Sequence, residues 1–198
     1  MHSKAFGLLL ALSLVTPRLH AQRVMENLGR GVVAVRAAED KVFVTWRLLG
    51  TEPADVAFNL YRAVAGGAPQ KLNPQPLKNA TSFTDLTADL TKENVYAVRA
   101  VVAGREQPAS APFLGKVAAH APVRQYIEIP LQFPEQTTGN DGSAGDLDGD
   151  GEYEIVLKGE QRPRDTASTG LTGNTVLQAY KVDGTLMWTI SLGKNVRE

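Results

Sequence analysis

Short segments of alternating apolar and polar residues recur in the first half of the chain, and each predicts a β-strand with one buried face. The segments cover residues 42–48, 56–64 and 94–103. The residues expected to face inward in the first and last segments are Val42, Val44, Trp46, Leu48, Tyr96, Val98, Ala100 and Val102. Turns rich in Gly, Pro and Asn separate the segments. This pattern is typical of an all-β sandwich, which we predict over residues 22–118.

Four aromatic residues in this region are candidates for the core of the sandwich: Trp46, Phe58, Tyr61 and Tyr96. Their alternation with polar residues favours burial. A carbohydrate-stacking platform is the alternative use of such side chains. Residues 81–85 (TSFTD) and the early Trp46 resemble a fibronectin type III module, which implies the same sandwich.

Prolines mark the segment that follows the predicted sandwich. Residues 119–134 contain Pro122, Pro130 and Pro134. Because proline lacks a backbone N–H and interrupts regular elements, this segment is predicted to be a linker that lies along a surface. One short strand is expected within it, at residues 125–129.

From residue 135 the pattern changes to an acidic, glycine-rich loop followed by apolar strands. Strands are predicted at residues 153–158, 176–182 and 186–190, with an Asp-Gly turn at 183–184 between the last two. Asp-Gly between alternating strands is a strong hairpin signal. The order predicts most of one four-stranded blade, so residues 135–198 are interpreted as the start of a β-propeller. Because a propeller has about four to eight blades, this domain is expected to be incomplete.

The acidic loop carries the strongest chemical signal of the chain. Asp146, Asp148 and Asp150 alternate with other residues in a stretch that includes Gly149 and Gly151. The glycines allow a tight curl that brings three carboxylates together, and a hard divalent cation relieves the resulting repulsion. Calcium suits the site because it accepts about six to eight oxygen ligands in irregular geometry.

Two further calcium ligands are predicted in the same loop, the backbone carbonyl of Glu152 and the carboxylate of Glu154. The loop is not an EF-hand, since Leu157 stands where an EF-hand has its bidentate Glu and a strand follows in place of a helix. The spacing resembles the calcium loops of FG-GAP-type β-propellers. A charged, solvated turn is the alternative interpretation.

Composition and charge narrow the range of functions. The 21 basic and 21 acidic residues balance, so a nucleic-acid-binding surface is unsupported. The absence of cysteine excludes disulfides, zinc-thiolate sites and a cysteine nucleophile. Three histidines leave little for a His-rich metal site or a Ser-His-Asp triad. The chemistry is therefore expected from carboxylates, amides, Lys, Arg, Tyr or a hard metal ion.

The first residues have the form of a secretory signal peptide, predicted over residues 1–21. A weakly basic start precedes an apolar run at residues 6–15, which is too short to span a membrane. A buried N-terminal helix is the alternative. The signal predicts a secreted or periplasmic bacterial protein with no membrane association after cleavage.

Four collinear segments carry a family resemblance. They lie at residues 42–61, 96–110, 140–157 and 179–197 and include the strings WRLLGTEP, VRAVVAGREQPAS, GDLDGDGEYEIVL and AYKVDGTLMW. Together they resemble the bacterial rhamnogalacturonan lyases of polysaccharide lyase family 11. The resemblance implies an N-terminal β-sheet domain followed by a calcium-binding propeller. The implied activity is that of a rhamnogalacturonan endolyase, a monomer when full length, which cleaves the rhamnogalacturonan I backbone of pectin by β-elimination at galacturonate.

The same resemblance suggests two substrate-binding residues, Asn140 and Glu160. Glu160 stands where the family commonly has Asp, and Gly159 stands where it has Trp, so the substrate preference is open at this point. Asn140 has an alternative role as a turn residue. The catalytic base is expected beyond residue 198, so the chain by itself is expected to be inactive.

Two functions remain open on the sequence. The first is the lyase, whose elimination step needs the galacturonate carboxylate to be neutralised, a task that a calcium ion can perform. The second is a non-catalytic carbohydrate-binding or adhesion module, in which a fibronectin-like domain precedes an FG-GAP-like propeller. Residues 135–198 alone would expose an unpaired blade face, so they are expected to aggregate or fold poorly in isolation.

Overall fold

The structure, a computed structural model, describes residues 26–110, 113–162, 167 and 169–196. These residues form thirteen β-strands and no α-helix, arranged in three antiparallel sheets, none of which closes on itself. The expected all-β class is therefore confirmed. The predicted signal peptide at residues 1–21 lies outside the described residues. Among the residues described, none belongs to a helix long and apolar enough to cross a membrane.

Two sheets build the first region. The first sheet has the order β1-β2-β6 and consists of β1 (Val33–Ala38), β2 (Lys41–Thr45) and β6 (Ser82–Asp85). The second sheet centres on β3 (Ala57–Val64) and β7 (Asn94–Val102) and is extended by the two-residue strands β4 (Gln70–Lys71), β5 (Leu77–Lys78), β8 (Arg105–Glu106) and β9 (Lys116–Val117).

The core of this region lies between the two sheets, as the alternation of apolar and polar residues along the strands predicted. Its buried members are Val32, Ala34, Val42, Val44, Trp46, Val56, Phe58, Leu60, Tyr96, Val98, Ala100 and Val117. The rings of Trp46 and Phe58 meet edge to face, with centroids 5.5 Å apart. Three of the four aromatic residues predicted for the core are therefore in it.

Two predicted core positions are wrong. Tyr61 belongs to the opposite face of β3 from Leu60, because side chains alternate along a strand. Its ring lies under the Arg99 guanidinium at 4.7 Å, and its hydroxyl donates to Glu106 at 2.7 Å. Leu48 is 61% exposed because β2 ends at Thr45, so the inward alternation stops before it.

A buried polar network ties the two sheets together at Asp85, the last residue of β6. Its carboxylate accepts hydrogen bonds from Arg62 at 2.5 Å, from Tyr96 at 2.9 Å and from the Thr87 backbone and hydroxyl at 2.8 and 2.7 Å. Burial opposes ionisation, but the hydrogen bonds from Thr87, Tyr96 and Arg62 outweigh it and lower the pKa of Asp85.

The connecting segment has no strand at residues 125–129, contrary to the expectation. The chain bends at residues 125–126 and leaves Tyr126 with 62% of its surface exposed, and residues 125–129 form no ladder with a described strand. The segment instead attaches to the first region through single contacts such as the Arg124 N–H, which donates to the Arg36 carbonyl at 2.9 Å.

A four-stranded antiparallel meander forms the second region. It has the order β10-β11-β12-β13 and consists of β10 (Thr138–Gly145), β11 (Glu154–Glu160), β12 (Thr175–Tyr180) and β13 (Leu186–Gly193). Its last two strands form the hairpin expected at the Asp-Gly turn, where Gly184 has a φ of +92°. Sequence analysis missed β10, because its sequence TGNDGSAG has no apolar alternation and it is exposed along nearly its whole length.

The connecting segment covers one face of this sheet. The Gln132 N–H donates to the Tyr180 hydroxyl at 2.7 Å, and Gln178 donates to the Gln132 carbonyl at 3.2 Å. Phe133 packs directly over Gly159, since a Cβ at position 159 would lie only 2.7 Å from its ring. The C-terminal end of the connecting segment is thus packed against the second region.

Candidate metal site

The acidic loop joins β10 to β11 and is folded by its own carboxylates. Asp146 accepts hydrogen bonds from the N–H groups of Gly149 at 2.7 Å and Gly151 at 3.1 Å. Gly149 and Gly151 have φ values of +80° and +88°, a region that favours glycine. The backbone therefore curls around Asp146, as the glycine spacing indicated.

The remaining carboxylates extend this curl toward β11. Asp148 accepts from the Asp150 N–H at 3.3 Å, and Asp150 accepts from the Glu152 N–H at 2.8 Å. Glu154 begins β11, is only 2% exposed, and accepts from the Leu147 N–H at 2.8 Å. The buried carboxylate of Glu154, at the start of β11, thus fixes the start of the loop at Leu147.

Three of the predicted ligands converge. Asp146, Asp148 and Glu154 each offer a carboxylate oxygen within 4.8 Å of the other two. The carboxylates of Asp150 and Glu152 lie outside this group of three; Asp150 pairs with Lys181, and Glu152 pairs with Arg47. For Glu152 the sequence assigned only the backbone carbonyl to the ion, so its side-chain contact is an additional feature.

A positive charge already lies beside these carboxylates. The Lys181 ammonium is 2.7 Å from Asp148, 3.0 Å from Asp150 and 3.7 Å from Glu154. Hydrogen bonds to Asp148 and Asp150 raise the pKa of Lys181, and its hydrogen bond is the largest of the effects that lower the pKa of Asp150. This all-oxygen site, which draws in a cation from its own chain, therefore fits a hard divalent ion such as calcium.

Lys181 was missed by sequence analysis, although a signal for it existed. It follows β12 directly, and β12 pairs with β11 so that Tyr180 lies opposite Ile155, next to Glu154. A lysine at the end of that strand must lie near the loop that precedes β11. Only the strand pairing reveals this, since Lys181 is far from the loop in sequence.

The outer side of the loop contacts the first region of the chain. The Gly29 N–H donates to the Gly151 carbonyl at 2.6 Å, and the Asp146 N–H donates to Glu26 at 3.2 Å. Arg47, just after β2, donates to the Glu152 carboxylate at 2.9 Å, and its guanidinium lies 4.6 Å from the centre of the Tyr153 ring. Sequence analysis did not identify any of these contacts.

The two predicted substrate-binding residues lie together on adjacent strands. Asn140 of β10 donates to the Glu160 carboxylate of β11 at 3.3 Å, and the Lys158 ammonium forms an ion pair with the same carboxylate. Asn140 is exposed, whereas Glu160 is 2% exposed. The accessible part of this pair is therefore Asn140, with Glu160 behind it.

Comparisons with known proteins cover most of the chain. Residues 23–114 match the family described as the rhamnogalacturonan I lyases beta-sheet domain. Residues 126–198 match the family described as rhamnogalacturonan lyase family 11, C-terminal domain.

Two curated relatives from Bacillus subtilis (strain 168) are similar to the chain. It is 43% identical over 188 residues to the rhamnogalacturonan endolyase YesW, and 40% identical over 189 residues to the rhamnogalacturonan exolyase YesX. Each match covers 89% of this chain but 28% of the relative, so the chain spans less than a third of the length of these relatives.

Among solved structures, the chain is similar to the twitchin kinase region from C. elegans (Fn31-NL-kin-CRD-Ig26). The TM-score is 0.38 at 11% identity, and the match covers 75% of this chain and 32% of the other. This likeness is too low to carry an argument about the fold.

Proposed function

Because the chain belongs to the rhamnogalacturonan lyases of family 11, we propose that it is part of a secreted enzyme that cleaves the rhamnogalacturonan I backbone of pectin by β-elimination. The observation that carries the proposal is the collinear pair of family matches, at residues 23–114 and 126–198. The two relatives are rhamnogalacturonan lyases, which supports both the proposed substrate and the lyase chemistry.

We propose calcium as the cofactor, held by Asp146, Asp148, Asp150 and Glu154 through their carboxylates and by Glu152 through its carbonyl. Support comes from the three converging carboxylates and from Lys181, which supplies a positive charge at the same place. A bound calcium ion supplies positive charge that can organise the loop or neutralise a uronate carboxylate. At this loop we favour the structural role, because its carboxylates already fold the backbone around themselves.

Asn140 and Glu160 are proposed to form one substrate-binding unit, in which Asn140 contacts the polysaccharide. The exposed Asn140 amide offers both a donor and an acceptor to sugar hydroxyls. Glu160 lies behind it and holds the amide through their hydrogen bond, so the two residues act as a unit. Lys158 keeps the buried carboxylate paired, which keeps a charged Glu160 tolerable at 2% exposure.

The finer fold assignment is also proposed. We interpret the first region as a fibronectin type III-like sandwich over residues 22–118, and the second as the first blade of a calcium-binding β-propeller over residues 135–198, with a linker at 119–134. The antiparallel meander β10-β11-β12-β13 supports the blade, because a four-stranded antiparallel sheet is the unit of a propeller. The proposed enzyme is secreted or periplasmic and acts as a monomer.

The test uses the protein encoded by the complete reading frame that contains this sequence. It is mixed with rhamnogalacturonan I in calcium or in EDTA, and the ultraviolet absorbance of the unsaturated uronate product is followed. We expect a rise in calcium that EDTA abolishes. No rise, while calcium still stabilises the fold, would reject the lyase in favour of a calcium-binding adhesion module.

A further inference from the structure

The acidic loop has two sides with different partners. Its inner side holds the converging carboxylates of Asp146, Asp148 and Glu154. Its outer side rests on the segment that leads into β1 and on Arg47, which follows β2 by two residues. The loop therefore forms part of the boundary between the two regions.

Single residues of the loop join its two sides. The Gly151 N–H donates to the Asp146 carboxylate, while the Gly151 carbonyl accepts from Gly29. Glu152 repeats the pattern, since its N–H donates to Asp150 and its carboxylate accepts from Arg47. Gly151 and Glu152 therefore each contact a carboxylate of the loop on one side and the first region on the other.

Close packing makes this boundary sensitive to small displacements. A Cβ at Gly29 would lie 2.8 Å from the Glu152 carboxylate, and a Cβ at Gly151 would lie 3.0 Å from both the Asn27 carbonyl and the Gly29 nitrogen. At Gly31 a Cβ would lie 2.6 Å from the Arg47 guanidinium. At Gly29 and Gly31 the nearest atoms are the ends of the Glu152 and Arg47 side chains, whereas at Gly151 they are backbone atoms and the φ is +88°, so a larger residue would be most strained at Gly151.

We propose that binding of a divalent cation in the acidic loop is coupled to docking of the first region on that loop, with Arg47 as the positioning residue. The inference rests on the proposed calcium site and adds to it a role for residues from outside the loop. Coupling of this kind is reciprocal: the cation tightens docking, and docking tightens cation binding by the same factor.

The charge of Arg47 has to be separated from its positioning effect. Removal of a guanidinium beside the site lessens repulsion of the cation and favours binding, whereas loss of Glu152 has the opposite electrostatic effect. A double substitution, Arg47→Met with Glu152→Gln, leaves the net charge unchanged and removes the side-chain link between the regions, while the Gly29–Gly151 and Glu26–Asp146 hydrogen bonds remain. Simple electrostatics predicts no change in affinity for this variant, and the coupling predicts a loss.

The chain offers a matched control for that variant. Arg99 also lies over a tyrosine ring, Tyr61 at 4.7 Å, and also pairs with a glutamate, Glu106 at 3.1 Å, but it does so on the outer face of β7. Arg99→Met with Glu106→Gln therefore removes the same chemical groups without touching the boundary between the regions.

The experiment measures the calcium affinity of the whole protein by titration calorimetry in the three forms. We expect the Arg47/Glu152 variant to bind calcium at least about fivefold more weakly than the parent, the lower end of ordinary coupling, and the Arg99/Glu106 variant to bind like the parent. Amide hydrogen exchange over residues 26–31 is the second readout. Calcium should slow this exchange in the parent and in the control, and should slow it less in the Arg47/Glu152 variant.

Arg47→Lys is a milder second variant, which keeps the coupling testable if the Arg47/Glu152 variant fails to fold. It keeps the charge but loses the planar group that stacks on Tyr153 and reaches several acceptors, so a smaller loss in the same direction is expected. The coupling would be overturned, with the calcium site left intact, if the parent and the Arg47/Glu152 variant bound calcium equally well and if calcium slowed exchange at residues 26–31 equally in both. A parent protein that binds no calcium would overturn both the coupling and the calcium proposal.

Discussion

Different kinds of contact stabilise the interiors of the two regions of the chain. The first buries twelve hydrophobic residues in one cluster between two sheets. In the second, the buried hydrophobic residues are Val176, Ala179 and Tyr180, while Glu154, Glu160, Thr172, Thr175 and Gln178 are buried polar residues. The first region therefore depends on apolar area removed from water, and the second depends on hydrogen bonds and balanced charge.

This difference can be followed experimentally because each region contains one tryptophan. Trp46 is buried in the core of the first region, and Trp188 is half-buried on β13 of the second. With Trp46→Phe or Trp188→Phe as the background, the remaining fluorescence reports one region at a time.

Truncation of the apolar core should have the largest effect, and it should be confined to the first region. Phe58→Ala removes a ring that packs against Trp46, and we expect a loss of about 3–5 kcal/mol in the free energy of unfolding. Urea unfolding followed by Trp46 measures it. Phe43→Ala, on the exposed face of β2, is the control and should cost far less. Similar losses at both positions would contradict the described core.

Calcium should stabilise the second region more than the first, which it reaches only through the docking contacts. At a free concentration about 100 times the dissociation constant, binding to the native state stabilises it by about 2.7 kcal/mol. Thermal unfolding followed by Trp188 in calcium and in EDTA tests this, with Trp46 as the internal reference. In Asp146→Asn/Asp148→Asn the response should disappear. An equal calcium response at Trp46 would mean that the regions unfold as one unit.

Acid should weaken the first region at Asp85. Because the folded-state pKa of Asp85 is lowered, its contribution is fully present above the unfolded pKa, for which the ordinary value is 3.8, and is lost as the pH falls through the folded value. At neutral pH, Asp85→Asn should cost about 1–3 kcal/mol in unfolding free energy. The difference from the parent should shrink below pH 4 or thereabouts.

Urea unfolding of parent and Asp85→Asn at neutral and acidic pH, followed by Trp46, measures that difference. Asp55→Asn, at an exposed carboxylate of the same region, is the control. A difference between parent and Asp85→Asn that stays constant as the pH falls would show that the carboxylate contributes through packing rather than through charge.

Removal of the Lys181 ammonium should have the smallest of these effects, and it should strengthen calcium binding. The ammonium lies against Asp148, Asp150 and Glu154, so it competes with an incoming cation. We expect Lys181→Gln to bind calcium a few-fold more tightly. Calorimetric titration of Lys181→Gln against Lys194→Gln, an exposed lysine, measures the change. Weaker binding in Lys181→Gln would mean that Lys181 instead holds the loop in its folded shape.

The sequence predicted most of what depends on local pattern. Alternation placed β3 and β7 within a residue or so of their ends, and Asp-Gly marked the hairpin between β12 and β13. The glycine and aspartate spacing predicted the curl around Asp146. In each case the information lies within one short stretch of chain.

The features that were missed depend on contacts between distant residues. β10 carries no apolar face, so only its pairing with β11 identifies it as a strand. Arg47 reaches a glutamate 105 positions away, and Lys181 reaches Asp148 across 33 positions. The strand predicted at residues 125–129 does not form, because the chain bends at residues 125–126 and attaches to β1 through single contacts such as that between Arg124 and Arg36.

The contact between Phe133 and Gly159 limits how this chain can change. Position 159, where the resembling family has tryptophan, is filled here by a ring from the connecting segment, and even a methyl group there would meet that ring at 2.7 Å. Bulk at one position excludes bulk at the other, so the order of substitutions matters. A tryptophan introduced at position 159 first would displace the connecting segment from the sheet, whereas a small residue introduced at position 133 first would open the space that it needs.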